Sequence, residues 1–239
     1  MITFRQHIEV SRAIKKDKSI SDYVSSLEPS VRIETYRSIA ETYPLKAVPL
    51  KDLSINRKFN YTTDVMEMVL GQFIMTEQII TGKTNYETDA ENDLALAELI
   101  LRPKHHQEFD NSEGNTEAKN KEDILNSDVR EIYSVIYKYL DVREYVLFKQ
   151  FAGVFYEVPD NDEDIVDEEE QSEKSGEDLF QQQWYWYSMV RMLANEDITR
   201  YEEIYMLKMS TVMPEMSFIA QKNKIDSARQ RQSQAISKL

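Results

Sequence analysis

The chain has three histidines, and two are adjacent. His105 and His106 open the stretch "HHQEFD", with Glu108 and Asp110 close behind. Imidazole nitrogens and carboxylate oxygens suit zinc and other divalent metals. A zinc site, though, needs three or four ligands held at fixed spacing. The surrounding "PKHHQEFDNSEGNTEAKNKE" is polar throughout and supplies no such frame. It reads as a solvated loop, and no metal is expected there.

Other chemistries fare no better. The chain has no cysteine, which excludes thiol catalysis, zinc–thiolate sites and disulfides and fits a reducing compartment. Its five glycines are scattered singly, so no loop is built to cradle phosphates. No serine stands in a nucleophile elbow. Carboxylates are plentiful, but nothing sets two of them in an apolar cleft, where acid–base catalysis would need them. Neither catalytic residues nor a cofactor are expected.

The remaining reactive material is charge and aromatic surface. Net charge is −14, of which −10 falls between Pro159 and Asp178. The residues from Gln221 to Leu239 carry +4. A nearly neutral body thus holds an acidic insert and a basic tail. The insert cannot bury a core of its own. It is either a solvated loop or a surface that docks on a basic partner, imitating a nucleic-acid backbone. Direct nucleic-acid binding is disfavoured by the overall balance.

Directly after the insert comes "QQQWYWYSMVRML", with Trp184, Tyr185, Trp186 and Tyr187 in succession. Four consecutive residues on an α-helix sweep about 300° of arc, so they cannot all face one neighbour. Trp186 aligns with Leu179, Val190 and Leu193 and is expected in the core. Phe180, Trp184, Tyr187 and Arg191 share the adjoining face. Trp, Tyr and Arg are enriched at interface hot spots. That face is therefore the candidate partner interface, with a second internal packing surface as the alternative. A stacking platform for single-stranded nucleic acid ranks below both, because the preceding acids repel phosphate.

These residues need elements to position them. Few Gly and Pro, with abundant Leu, Met, Glu, Lys and Gln, predict an all-α fold of about eight helices. One helical domain is expected over 1–226, with mobile polar excursions at 103–122 and 159–178, and a basic polar tail over 227–239. Residues 3–28 read as one or two amphipathic helices anchored on Phe4, Ile8 and Ile14. Another runs from Ser30 to Pro44. Thr63 or Asp64 is expected to cap a helix through Val65, Met68, Phe73 and Ile80, with Gly82 as its left-handed C-terminal residue. A helix from about Thr88 to Arg102 has so broad an apolar face that it belongs near the centre. Helices resume near Ile124 and split at Asp141. After the aromatic helix over 179–194, Thr199 and Glu202 form a capping box. Pro214 suits the first turn of a last helix. The N-terminus lacks the apolar core of a signal peptide, and no apolar run reaches bilayer length.

Three stretches together resemble a known kind of protein. They are "VMEMVLGQFIMTEQIITG" (65–82), "LALAELILRPKHHQEFD" (94–110) and "WYWYSMVRMLANEDITRYEEIYMLKMSTVMPEMSFIAQKNKID" (184–226). Their order is similar to that in small helical virion or assembly proteins of tailed bacteriophages, such as those of crAss-like phages and tail-assembly chaperones. The resemblance covers about half the chain and brings no catalytic residue with it. It implies a non-enzymatic protein that binds other phage structural proteins, or copies of itself, in the host cytoplasm during assembly or in the virion, with no membrane. A different class is an acidic binding or inhibitor protein that turns residues 159–178 against a basic host partner.

Overall fold

A computed structural model describes residues 2–16, 48–82, 86–104, 118–155 and 176–236. Among them are nine α-helices and one short two-stranded ribbon, so the chain is all-α in character. The expected helix over 30–44, the histidine pair and most of the acidic run lie outside the described residues. The helices gather into two compact units, Met1–Arg143 and Glu144–Leu239, described in turn.

In the first unit, α1 (Phe4–Lys15) starts at a capping box. The Thr3 hydroxyl accepts the Gln6 N–H, and the Gln6 side chain accepts the Thr3 N–H. Two 3₁₀ turns (Leu50–Asp52 and Ser54–Arg57) lead into β1 (Phe59–Tyr61). Asp64 does act as a cap, accepting the Met66 N–H at 2.9 Å. It opens only a 3₁₀ turn, Val65–Glu67. Met68 and β-branched Val69 then take extended backbone, and α2 begins at Leu70 and runs to Ile80. Gly82 closes the segment at φ +69, the left-handed conformation expected of it.

Helix α3 (Asp89–Ile100) opens on a second capping box, Thr88 with Glu91. It touches α1, α2, α4 (Ala118–Leu125) and β2 (Leu101–Pro103), which makes it the centre of this unit. Its Ala90, Leu94, Leu96, Ala97 and Ile100 are buried. Strand β2 runs antiparallel to β1, with Tyr61 opposite Leu101 and Phe59 opposite Pro103. Of the loop expected over 103–122, Pro103 thus belongs to β2 and residues 118–122 belong to α4. Helix α4 begins six residues before Ile124, where Lys121 pairs with Glu98 at 3.2 Å and Glu122 with Arg5 at 2.5 Å.

The helix expected to split at Asp141 does not. α5 runs from Val129 to Tyr145, since no Gly or Pro interrupts it. The break comes later, as a π turn over Val146–Gln150 that closes with the Phe151 N–H on the Val146 carbonyl at 2.9 Å.

That turn lies in the second unit with α6 (Ala152–Phe155), α7 (Gly176–Leu193), α8 (Tyr201–Tyr205) and α9 (Met209–Ile236). Met189, Val190, Ala194, Ile204, Met209, Val212, Met213 and Met216 form its buried interior. The expected Thr199–Glu202 box is replaced by Asp197, whose carboxylate accepts both the N–H (3.0 Å) and the hydroxyl (2.7 Å) of Thr199. Asp is the stronger cap, and it sits two residues ahead of the N–H it accepts. Pro214 is the sixth residue of α9 rather than a first-turn residue. Met209, Val212 and Met213 are buried ahead of it, and this packing carries the helix past the lost hydrogen bond. The helix then continues to Ile236, within the segment expected as a polar tail.

Candidate interaction surface

The aromatic helix divides its residues between core and surface, with Val190 in the core as expected and Trp186 short of it. Met189 and Val190 are fully buried. Trp186 is only half-buried, which corrects its expected core position. α7 packs against α8, and Trp186 stands a full turn ahead of buried Val190. Its indole meets Tyr185 edge-on at 5.1 Å. Tyr185 in turn donates its hydroxyl proton to the Val154 carbonyl of α6 at 3.2 Å.

Of the four candidate interface residues, Trp184, Tyr187 and Arg191 are all exposed. Trp184 is 41% exposed and Tyr187 43%, high values for such large rings. Phe180 lies on α7, but its side chain falls outside the description. Trp184 and Tyr187 meet edge to face at 5.7 Å. Tyr187 then meets Tyr201 of α8 in the same way at 5.9 Å. A three-ring ladder results, in the geometry aromatic quadrupoles favour. Tyr201 belongs to the next helix in the chain. The turn between α7 and α8 brings it across, and no local spacing in the sequence reports that.

The same turn fixes Arg191. Its carbonyl accepts the Glu196 N–H at 2.8 Å, and its guanidinium pairs with the Glu196 carboxylate at 3.3 Å. Asn195 and Glu196 both hold positive φ, 53° and 64°, a pairing of left-handed residues that is costly for Glu. Desolvation raises the hydroxyl pKa of Tyr201, with neighbouring Tyr187 adding to the effect. Tyr205 shifts the same way and for the same first cause. The surface therefore offers flat apolar rings that carry hydroxyls, beside an arginine. That set can stack, donate hydrogen bonds and bury area with little loss of side-chain freedom.

The first unit holds different material. A cavity of about 310 Å³ lies among α1, α3 and α4, with Ile8, Leu94 and Leu125 at its apolar side. Its Arg12 pairs with Glu91 and its Lys121 with Glu98, so the charges there are largely matched. Nearby, Tyr133 donates to the Asp93 carboxylate at 2.5 Å and lies 3.0 Å from His7 Nε2. With its one proton on Asp93, the Tyr133 oxygen accepts from His7. Burial holds His7 down at about 4, so it is neutral near pH 7. Burial also raises the Asp93 carboxyl, against the opposing pull of its Tyr133 bond. His7 and Tyr133 are both buried, and this chain links α1, α3 and α5 as structural glue.

Among the described residues no group of three or more His, Asp or Glu is placed to hold a metal ion. Nor is any described helix long and apolar enough to cross a membrane. No protein-family model, curated protein or solved structure matches the chain.

Proposed function

We propose that this chain is a binding protein that works through the aromatic face of α7, and that its setting is the assembly of a tailed-phage particle. The observation that carries the first part is the ladder Trp184–Tyr187–Tyr201, two of whose rings stay more than 40% exposed beside Arg191. Behind it, Met189, Val190 and Ala194 are packed. A rigid backing with rigid aromatic residues in front is the arrangement expected of a hot spot, because little freedom is lost when a partner arrives. The phage setting rests on the order of the three stretches that resemble helical virion and assembly proteins.

The two parts separate experimentally. A portal, capsid or tail gene beside the coding sequence supports the phage setting, and a metabolic operon around it counts against that setting. The α7 face is tested by replacing Trp184 and Tyr187 with Ser and following the chain's association with large assemblies.

A further inference from the structure

The second half of α9 supplies a separate surface. Every residue from Gln221 to Gln230 is exposed, yet the segment is helical. A polar helical extension is marginal in water when nothing packs on it. Phe218 is 61% exposed and Ile225 53%. Between and after them stand Lys222 and Arg229, giving the series Phe218, Lys222, Ile225, Arg229. These spacings of four, three and four keep all four residues in one line along the helix. The line alternates apolar and basic, and Lys224 adds a further cation beside it. Asp226 is the one acid in this stretch, and it approaches Arg229 only to 3.8 Å.

We infer that this line on α9 is a docking surface for an acidic amphipathic helix of a protein partner. Charge complementarity selects the occupant. A second copy of the helix running parallel would set Lys222 and Arg229 against the same cations, and one running antiparallel would set each cation against Ile225 or Phe218 with no counter-charge. A bilayer would draw the apolar residues inward and drag with them the two cations that share their line, whereas membrane-surface helices keep cations to the flanks. A nucleic-acid backbone would satisfy the cations and leave Phe218 and Ile225 unused. An acidic heptad helix meets both needs, with apolar residues against Phe218 and Ile225 and carboxylates against Lys222 and Arg229. This surface shares no residue with the α7 face, so it stands or falls separately from the proposed function.

The test uses the full chain and fluorescence anisotropy. The probe is a labelled helical peptide of about three heptads, with Leu at one seam position of each heptad, flanked along the seam by Glu at the other. Its Lys-flanked counterpart, a single-stranded oligonucleotide and anionic phosphatidylserine vesicles are the comparisons. The acidic peptide is expected to bind saturably, and more weakly as salt is raised. Affinity should fall at least ~10-fold in K222E/R229E and again in F218S/I225S, two changes that each remove more than ~1.4 kcal/mol of binding free energy. Because all four side chains are exposed, melting temperatures should stay at the wild-type value. No saturable binding, equal binding of the Lys-flanked peptide, or preferential binding of oligonucleotide or vesicles would overturn the inference. So would a concentration-dependent dimer that F218S/I225S abolishes, which would make the occupant a second copy.

Discussion

Glu131 on α5 caps a turn whose residue Ser54 lies 77 positions away. Its carboxylate accepts the Ser54 N–H at 2.8 Å, the Ser54 hydroxyl at 2.8 Å and the Ile55 N–H at 3.1 Å. A buried carboxylate is costly unless its lone pairs are filled, and three donors fill them here. Glu131→Gln places an amide NH₂ among these donors. It should destabilise the first unit by about 2–4 kcal/mol, read by urea denaturation, because bonds to charged groups contribute about 1.5–3 kcal/mol each and are only partly lost. A loss below ~0.5 kcal/mol would show that the turn needs no such cap.

Glu77 on α2 and Arg143 on α5 form a second long-range polar pair, two-pronged and largely buried. Removing one partner strands the other charge. Glu77→Leu and Arg143→Met should each cost about 3–5 kcal/mol. The double variant should cost clearly less than their sum, since it leaves no orphaned ion. Additive losses in a double-mutant cycle would mean that the two groups do not depend on each other.

His7 makes stability pH-dependent in a defined direction. Its folded pKa of about 4 lies below the ordinary 6.5. Between those values the unfolded chain binds the proton and the folded chain does not. Stability therefore declines as pH falls from 6.5 toward 4, by at most about 3 kcal/mol at 1.36 kcal/mol per pKa unit. Asp93 works the other way: its raised folded pKa favours the folded state at low pH, and that gain is lost as pH climbs through it. His7→Gln should flatten the slope above pH 5 more than Asp93→Asn does. An unchanged slope in His7→Gln would place the acid sensitivity elsewhere.

Within α7, burial sets the order of stability losses. Val190→Ala should cost about 1–3 kcal/mol, because it empties a fully buried site. Trp186→Ala should cost about 1–2 kcal/mol, well under the cost of emptying a fully buried Trp site, since the ring is only half-buried. Trp184→Ala should cost less than either. A Trp184→Ala loss equal to that of Trp186→Ala would mark the face as internal.

The helical content and the centre of the first unit were legible because apolar periodicity and end signals are local. Leu94, Ala97 and Ile100 announced α3, Thr88 its start, and Gly82 the end of the α2 segment. Errors arose where two local signals competed. Asp64 looked like the cap of a long helix, yet extended Val69 divides the segment; Thr199 looked like a cap, yet Asp197 precedes it. Angular position alone places Trp186 in the core, and angle says nothing about which turns of α7 meet a neighbour. The pairs Glu131–Ser54, Glu77–Arg143 and His7–Tyr133 were invisible, because a charged or polar residue on a helix reads as solvated until a distant partner is placed beside it. Three of the four described residues of the candidate face were legible as the line Trp184, Tyr187, Arg191. Tyr201 was not, since it arrives through the turn at Asn195 and Glu196.

The central claim is that Trp184 and Tyr187 bind a partner in a larger assembly. The most direct measurement is quantitative mass spectrometry of particles and particle precursors, purified from cells that express the chain from its native genome. Wild type and the Trp184→Ser/Tyr187→Ser double variant are compared after their melting temperatures are matched. The account predicts wild-type chain in those assemblies and at least about 5-fold depletion of the variant, since hot-spot residues each carry more than ~1–2 kcal/mol. Equal retention of the variant, or absence of the wild-type chain from every large assembly, would contradict it.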